Sequence, residues 1–258
     1  MPDAKTFVAN APAWIDLASK DAAGARDFYS KLFGWKAELG GPESGGYAMA
    51  KIAGKDVAGI GPVQDPNAPS AWNVYIGTRD AAATAKKVEE AGGKVIVPPF
   101  DVLQAGRMAV FQDPSGAFIS AWEPKEMFGA ETVGKDGSYG WAELNSRGFD
   151  RVEGFYKKVF GWTTKTSPMG EGQGDYTEFQ LEGQSIAGGM EMNPMVPKEV
   201  PSYWMVYFTV TDIDKSHKKA VDLGAREMLP PMDFPGGRFS IVSDPQGAAF
   251  GLMTMARS

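Results

Sequence analysis

The side chains best suited to chemistry in this chain are two carboxylates and two arginines. Asp16 lies in the alternating segment 13–18, and Glu143 lies in a second copy of that segment. Arg107 and Arg238 each begin a later apolar strand. A buried carboxylate can act as a general base, and an arginine can hold a ligand oxygen through two hydrogen bonds. We predict that Asp16 pairs with Arg107. The second copy then pairs Glu143 with Arg238, and each pair either fixes the sheet as a buried ion pair or holds a ligand.

Other reactive side chains are scarce. The chain of 258 residues contains a single histidine, His217, and no cysteine. Thiolate nucleophiles, thiolate metal ligands and disulfides are therefore excluded, and a Ser-His-Asp arrangement would depend on His217 alone. The lysine-rich sequence around His217 indicates a helix outside any binding site, which favours a structural role. No glycine-rich phosphate-binding sequence stands between a strand and a helix.

Composition and charge exclude several classes of partner. The chain is 43% hydrophobic and 22% charged, which is typical of a globular protein. Its net charge is −6 without a basic cluster, so we expect no nucleic-acid partner, because neutralising phosphates needs a positive patch. No apolar run reaches the roughly 20 residues of a membrane span, so we expect no membrane association. The lack of cysteine and of a signal-like N-terminus indicates the cytoplasm.

Two copies of one long unit make up the chain. The segment 28–35, Phe-Tyr-Ser-Lys-Leu-Phe-Gly-Trp, is identical at six of eight positions to the segment 155–162, at an offset of 127. The segment 106–117 similarly returns at 237–248, with Gly-Arg followed by Asp-Pro-x-Gly-Ala. This period is too long for a solenoid, so it predicts two homologous domains. We predict a first domain over residues 1–126, a linker over 127–137 and a second domain over 138–258.

Each predicted domain contains two β-α-β-β-β modules. Alternation over 13–18 indicates a strand, and Asp21 is a suitable N-cap for the helix that follows. Gly34 stands where a left-handed C-terminal cap belongs. The pattern restarts with a further strand and the helix Asp80–Ala91, and the second half repeats the series. The main departure from symmetry is Glu191–Ser202, a longer connection rich in proline and methionine, which we interpret as a lid.

These features together resemble the vicinal oxygen chelate superfamily of glyoxalases, bleomycin resistance proteins and extradiol dioxygenases. The resemblance rests on the strand before Asp21, the Phe-Gly-Trp helix end at 33–35 and the Asp-Pro-x-Gly turn between the last two strands, all of which recur. It implies an α+β fold of two tandem glyoxalase-like domains. In each, two βαβββ modules would curl an eight-stranded sheet into a cup that holds a ligand. The resemblance extends to two-domain actinobacterial-type proteins described as hydroxylases or as glyoxalase-like. It also implies that the fused domains can make an internal pseudo-dimer, which is compatible with a monomeric chain and leaves the oligomeric state open.

The chemistry of this family usually needs a divalent metal held by His, Glu or Gln. By the resemblance, the ligand positions of the first, fifth and last strands fall on Trp14, Asn73 and Ser120. The corresponding positions of the second domain are Trp141, Met205 and Gly251. None of these residues supplies the imidazole, thiolate or carboxylate that a transition metal prefers. We therefore expect no transition metal and no other cofactor, and an oxygen-only Mg²⁺ or Ca²⁺ site elsewhere in the chain stays open as an alternative.

Strand parity predicts which side chains line the cups, because alternate residues of a strand share a face. The first strand should turn Ile15 and Leu17 toward the helices, and the seventh should turn Arg107, Ala109 and Phe111 into the cup. The predicted ligand-binding residues of the first domain are Trp14, Asp16, Asn73, Tyr75, Arg107 and Trp122. Those of the second domain are Trp141, Glu143, Met205, Tyr207 and Arg238. Apolar walls with a few orienting polar groups are typical of small-molecule pockets.

Three functional hypotheses follow. The first is a protein that binds a small organic molecule in one or both cups without the usual metal, either sequestering it or assisting a hydroxylation. The alternative is a metal-dependent glyoxalase-like lyase or isomerase, or a dioxygenase. The third is a scaffold whose cups are filled by their own side chains. Metal content separates the second hypothesis from the others, and a ligand-induced rise in melting temperature separates the first from the third.

Overall fold

The computed structural model describes residues 7–170, 172 and 174–255. The elements of the first repeat are β1 (Pro12–Ser19), α1 (Ala22–Phe33), β2 (Lys36–Leu39), β3 (Ala48–Ile52), β4 (Lys55–Pro62), β5 (Ala71–Gly77), α2 (Ala81–Glu90), β6 (Lys94–Val102), β7 (Gly106–Gln112) and β8 (Phe118–Pro124). Those of the second repeat are β9 (Tyr139–Ser146), α3 (Asp150–Phe160), β10 (Thr163–Gly170), β11 (Gly174–Leu181), β12 (Gln184–Glu191), β13 (Tyr203–Thr209), α4 (Ile213–Asp222), β14 (Arg226–Phe234), β15 (Gly237–Ser243) and β16 (Ala249–Met255). In the part of the chain that the structure describes, no helix combines the length and the apolar character needed to cross a membrane.

The strands form two curled eight-stranded sheets with the same topology. The first has the order β2-β3-β4-β1-β5-β8-β7-β6, and the second has the order β10-β11-β12-β9-β13-β16-β15-β14. Within each module the strand before the helix pairs in parallel with the last strand, and hairpins join the other strands. The predicted α+β fold of paired βαβββ modules is confirmed.

The N-terminus of α1 is capped by the residue that the sequence predicts, whereas the N-terminus of α3 is capped by a residue from another strand. Asp21 accepts a hydrogen bond from the Gly24 amide at 2.9 Å, and Gly34 ends α1 with a left-handed φ of 74°. The residue that corresponds to Asp21 in the second repeat is Gly148, which has no side chain to cap α3. The Glu191 carboxylate takes that role, accepting from the amides of Gly148 at 2.9 Å and Phe149 at 2.7 Å. A distant strand residue therefore caps α3.

Contacts group the residues into two compact units. Unit 1 contains Val74–Gly129 and Ala142–Trp204, together with the residues up to Trp14. Unit 2 contains Ile15–Asn73 and Ala130–Trp141, together with Met205 and the residues after it. Each unit thus combines one module of the first repeat with one module of the second. The domain bounds at residues 126 and 138 stay a prediction.

The core of unit 2 is organised by a buried hydrogen-bond triad. The Tyr29 hydroxyl donates to Asp244 Oδ2 at 3.0 Å and accepts from Trp72 Nε1 at 3.0 Å. Burial, and then the charge of Asp244, raise the pKa of Tyr29 well above its ordinary value, so it stays a donor. The Tyr29 ring stacks on Trp35 at 5.5 Å between centroids. Both recurring sequence motifs therefore meet at one point, since Tyr29 and Trp35 belong to the first and Asp244 to the second.

Unit 1 contains the same triad built from the other copies of the motifs. The Tyr156 hydroxyl donates to Asp113 Oδ2 at 2.7 Å and accepts from Trp204 Nε1 at 3.0 Å. The other oxygen of Asp113 accepts from the amides of Ser115 at 2.8 Å and Ala117 at 3.1 Å, which fixes the Asp-Pro-Ser-Gly turn. The Asp-Pro-x-Gly motif thus serves both the turn and the core.

The predicted faces of β7 and β15 were wrong. Ala109 lies opposite Ala121 in the antiparallel register, and both are fully buried. Opposite residues share a face, so Arg107 lies on the buried face and not with Trp122. Likewise, Arg238 lies opposite Thr254 on the face that carries the buried pair of Val242 and Phe250. Both faces of β7 are apolar, so alternation indicated a strand without indicating which side points to the core.

Replacing Tyr29 by phenylalanine is expected to lower the free energy of unfolding by about 1–3 kcal/mol. The change leaves Asp244 and Trp72 inside the core without their shared partner. Urea denaturation measures the loss. The control is Tyr139→Phe, because the buried Tyr139 hydroxyl has no hydrogen-bond partner among the described residues. Equal losses in the two variants would contradict a stabilising role for the triad.

Candidate functional site

The acid of the first repeat lies in a small polar cluster within unit 2. Asp16 is 9% exposed, and its register partner on β4 is Gly59. Asn73 Nδ2 donates to Asp16 Oδ1 at 2.9 Å, and the Tyr47 hydroxyl donates to Asp16 Oδ2 at 3.2 Å. Two donors, one on β5 and one just before β3, therefore bind the two carboxylate oxygens.

The acid of the second repeat has a different environment, within unit 1. Glu143 is 8% exposed and pairs in register with Gly188 on β12. Its Oε1 accepts from Asn145 Nδ2 at 3.3 Å. Burial, and then the charge of Glu143, raise the pKa of Tyr203. Tyr203 thus keeps its proton close to a carboxylate and can donate a hydrogen bond to a ligand oxygen.

Unit 1 also carries an apolar surface, the β5–β8 wall. Strand register puts its side chains on one face, and they are Tyr75, Phe100, Met108, Val110, Phe118, Ser120 and Trp122. One end is buried, where Trp122 is 4% exposed and its Nε1 donates to the Met127 carbonyl at 2.8 Å. Phe100 lies in the same cross-strand row as Trp122, two strands away, and Phe118 lies at the opposite end of β8; they are 44% and 51% exposed. An apolar surface with two exposed rings is thus available to an aromatic or aliphatic ligand.

Unit 2 carries the equivalent β13–β16 wall. Its side chains are Tyr207, Leu229, Met232, Phe239, Ile241 and Met253. Met232, Phe239 and Met253 follow one another across three strands, and Met232 is exposed. The Tyr207 ring lies over Gly251, where a Cβ atom would overlap it. The glycine at this position is therefore explained by the tyrosine that fills its space.

The two arginines do not take the roles predicted for them. Arg238 Nη1 donates to Asp214 Oδ2 at 2.8 Å. Its Nε lies 2.8 Å from Asp233 Oδ1, an ion-pair contact without hydrogen-bond alignment. The predicted pairing of Arg238 with Glu143 is therefore wrong, because the guanidinium is held by α4 and β14 on the other face. The predicted pairing of Arg107 with Asp16 loses its basis as well, because Arg107 shares a face of β7 with the buried Ala109.

The remaining predicted residues are mostly buried. Trp14 and Met205 are each 3% exposed, while Trp141 is half-buried. His217 is buried on α4, where its Nε2 lies 2.7 Å from Glu227 Oε2, in line with a structural role. Whether Trp14, Trp141 or Met205 touches a ligand stays a prediction.

The donor set at the expected metal positions does not fit a transition metal. Trp14, Asn73 and Ser120 offer an indole, an amide and a hydroxyl, and Gly251 of the second repeat offers no side chain. Among the described residues, no cluster of three or more His, Cys, Asp or Glu side chains could hold a metal ion.

Sequence reasoning missed three polar residues of the two acid clusters. Tyr47 immediately precedes β3, Tyr203 begins β13, and Asn145 follows Glu143 by two positions on the same strand face. The alternation of side chains along a strand could have predicted Asn145, because residues two positions apart share a face. Tyr47 had a weaker signal, since a tyrosine recurs at the equivalent position 176 of the second repeat.

The connection Glu191–Ser202, predicted to be a lid, is tied down in unit 1. The Arg147 guanidinium donates to the carbonyls of Val196 at 3.2 Å, Pro197 at 2.7 Å and Val200 at 3.3 Å. The Arg147 amide donates to Ser202 Oγ at 3.0 Å. One side chain thus holds the segment at three points, which favours a fixed strap.

Comparison with known sequences identifies both repeats. The sequence profile of the Glyoxalase/Bleomycin resistance protein/Dioxygenase superfamily matches residues 11–120, and that of a glyoxalase-like domain matches residues 141–253. The chain is 39% identical over 266 residues to the anthracycline biosynthesis protein DauV of Streptomyces sp. (strain C5). That match covers 96% of this chain and 94% of DauV.

Solved structures with low sequence identity share the fold. The Mn(II)-bound glyoxalase from Novosphingobium aromaticivorans superposes with a TM-score of 0.66 at 16% identity, covering 95% of this chain and 82% of that one. The 2,3-dioxygenase LapB from Pseudomonas sp. KL28 gives a TM-score of 0.66 at 13% identity, covering 96% of this chain and 92% of LapB.

Replacing Arg238 by methionine is expected to cost no more than about 1 kcal/mol of unfolding free energy. Both of its ion pairs are partly exposed and open to screening. Urea denaturation at low and high salt measures the effect, with Arg238→Lys as the charge-preserving control. A loss of about 3–5 kcal/mol, insensitive to salt, would instead indicate the buried ion pair that the sequence predicted.

Proposed function

The chain belongs to the glyoxalase/bleomycin resistance protein/dioxygenase superfamily, and on that premise we propose that it binds a small, planar, hydroxylated aromatic molecule. Binding uses the β5–β8 wall, the β13–β16 wall or both. It proceeds without the metal centre usual in the family, and the chain either sequesters the compound or assists its hydroxylation.

The observation that carries this proposal is the pair of partly exposed apolar walls. On the β5–β8 wall, Phe100 and Phe118 are exposed beside the half-buried Met108 and Val110. Exposed rings that share one sheet face gain free energy by burying their area against a ligand. Thioether side chains such as Met232 and Met253 on the β13–β16 wall adapt to aromatic ligands of different outline.

The buried acids supply orientation. Asp16 is held by Asn73 and Tyr47, and Glu143 lies close to Tyr203. A carboxylate in an apolar site accepts strongly from a ligand hydroxyl, and a protonated tyrosine donates to a carbonyl. Hydroxyl and carbonyl groups on a flat ring system match this set of donors and acceptors.

The name of the relative DauV supports a ligand of this kind. That protein is named for anthracycline biosynthesis, and anthracyclines are planar polycyclic aromatic compounds with hydroxyl and carbonyl groups. The high mutual coverage of the two chains favours a related role for this protein.

A metal-dependent lyase, isomerase or dioxygenase is the alternative. The fold of the manganese-bound glyoxalase favours it. The residue types at positions 14, 73 and 120 count against it, because they lack transition-metal ligands. Elemental analysis of protein purified without chelator or nickel affinity separates the two readings.

Replacing Phe118 by serine is expected to weaken binding of alizarin, a planar dihydroxylated aromatic, by about tenfold or more. The variant removes one exposed ring from the β5–β8 wall, and tenfold corresponds to about 1.4 kcal/mol. Titration calorimetry measures the affinity. Because Phe118 is 51% exposed, the change should leave the fold intact.

The matched control is Phe128→Ser, which removes an equally exposed ring outside the wall. Equal affinities of the two variants would argue against the wall as the binding surface. Failure of alizarin and related compounds to raise the melting temperature, or one tightly held transition metal per chain, would overturn the proposed function.

A further inference from the structure

Tyr47 occupies a slot that is cut into the sheet of unit 2. Gly59 and Gly61 alternate along β4 and so share one face. A Cβ atom at Gly59 would overlap the Tyr47 hydroxyl, and one at Gly61 would lie 2.8 Å from Tyr47 Cδ2. The ring therefore lies along the bare backbone of β4. We call this space the Gly59–Gly61 slot.

The slot ends at a buried carboxylate. The register of β1 against β4 puts Asp16 beside Gly59, and the Tyr47 hydroxyl donates to Asp16 Oδ2 at 3.2 Å. Asn73 fixes the other oxygen at 2.9 Å. A narrow slot with an oriented acceptor at its end recognises a flat ring that bears a hydroxyl donor, which is what the Tyr47 side chain is.

We infer that Tyr47 is an internal placeholder, and that a phenolic ligand displaces its ring from the Gly59–Gly61 slot and donates its own hydroxyl to Asp16. This inference rests on the proposed function and specifies a phenol as the ligand of the first repeat. No covalent bond forms or breaks in the exchange, because a hydrogen bond from the ligand hydroxyl replaces the one from Tyr47 to Asp16.

The local backbone suits such an exchange. Tyr47 is half-buried and follows Gly45 and Gly46, which have φ angles of 61° and 86°. Its amide donates to the Ser44 carbonyl at 3.1 Å, and its carbonyl accepts from the Gly40 amide at 3.0 Å. The backbone at Tyr47 is thus anchored in an exposed loop, and rotation about χ1 moves the ring toward solvent without rearranging β3.

The second repeat differs at one of the two glycine positions of the slot. Gly188 lies beside Glu143 as Gly59 lies beside Asp16, but the residue two positions later is Met190 instead of glycine. The pair of glycines that frames the Tyr47 ring is therefore a feature of the first repeat, and the inference concerns that repeat.

The inference is tested with Tyr47→Ala and the probe 2-naphthol, with 2-methoxynaphthalene as the matched ligand that lacks the hydroxyl hydrogen. The alanine variant has no ring to compete with the ligand for the slot, so the affinity for 2-naphthol is expected to rise about tenfold over the wild type. The ether should show no comparable gain. Titration calorimetry on the full chain gives both dissociation constants.

Two further variants keep the test independent of a folding defect. Tyr47→Phe keeps the ring but loses the bond to Asp16, so its affinity for 2-naphthol should lie between wild type and Tyr47→Ala. Adding Gly59→Ala to Tyr47→Ala puts a methyl group in the slot and should cancel the gain.

Two outcomes would overturn the placeholder alone. One is equal affinity of wild type and Tyr47→Ala for 2-naphthol, and the other is an equal gain for 2-methoxynaphthalene. Absence of any aromatic binding, with alizarin included, would overturn the proposed function as well.

Discussion

The buried tyrosine–aspartate–tryptophan triads are the interactions on which the rest of the structure depends. Each takes a carboxylate out of water, which is tolerable only because a tyrosine hydroxyl and the turn amides satisfy it. Tyr29 and Asp244 lie 215 residues apart, so the helix of one repeat is bonded to the turn of the other. The most evident repeated motifs of the sequence therefore stabilise the core. The side chains on the sheet faces away from these triads are therefore free to differ between the two repeats.

That divergence is concentrated at a few equivalent positions. Asp16 is bonded by Asn73 and Tyr47, whereas Glu143 is bonded by Asn145 and approached by Tyr203. Where Ser120 stands in the first repeat, Gly251 in the second lies under the Tyr207 ring. The repeats share turns and aromatic packing, but the polar groups around their buried acids differ. Duplication thus gives one architecture two acid clusters with unlike surroundings.

Most of the fold could be predicted from the sequence because its signals are local. Asp21 and Gly34 cap a helix through their own neighbours, and a duplicated pattern identifies a duplicated fold. The errors came from non-local choices. The strand at 106–112 is apolar on both faces, so only its register with the next strand assigns Arg107 to the buried side. The cap of α3 by Glu191 joins residues about 40 apart, and neither segment contains a sequence pattern that predicts it.

The candidate site was harder to predict because part of it depends on glycines, whose lack of a side chain leaves space for a ring. Gly59, Gly61 and Gly251 look like flexible strand positions in a sequence, yet each leaves room for a tyrosine ring from a neighbouring strand or from the loop beside it. A strand glycine under an aromatic ring costs little, since the ring covers the backbone that the glycine exposes. In the exchange that we propose, the Tyr47 ring rotates away while the backbone of its loop stays in place. A fold that lacks the usual metal ligands can thus gate a carboxylate with an aromatic side chain, provided that the ligand replaces both the ring and its hydrogen bond.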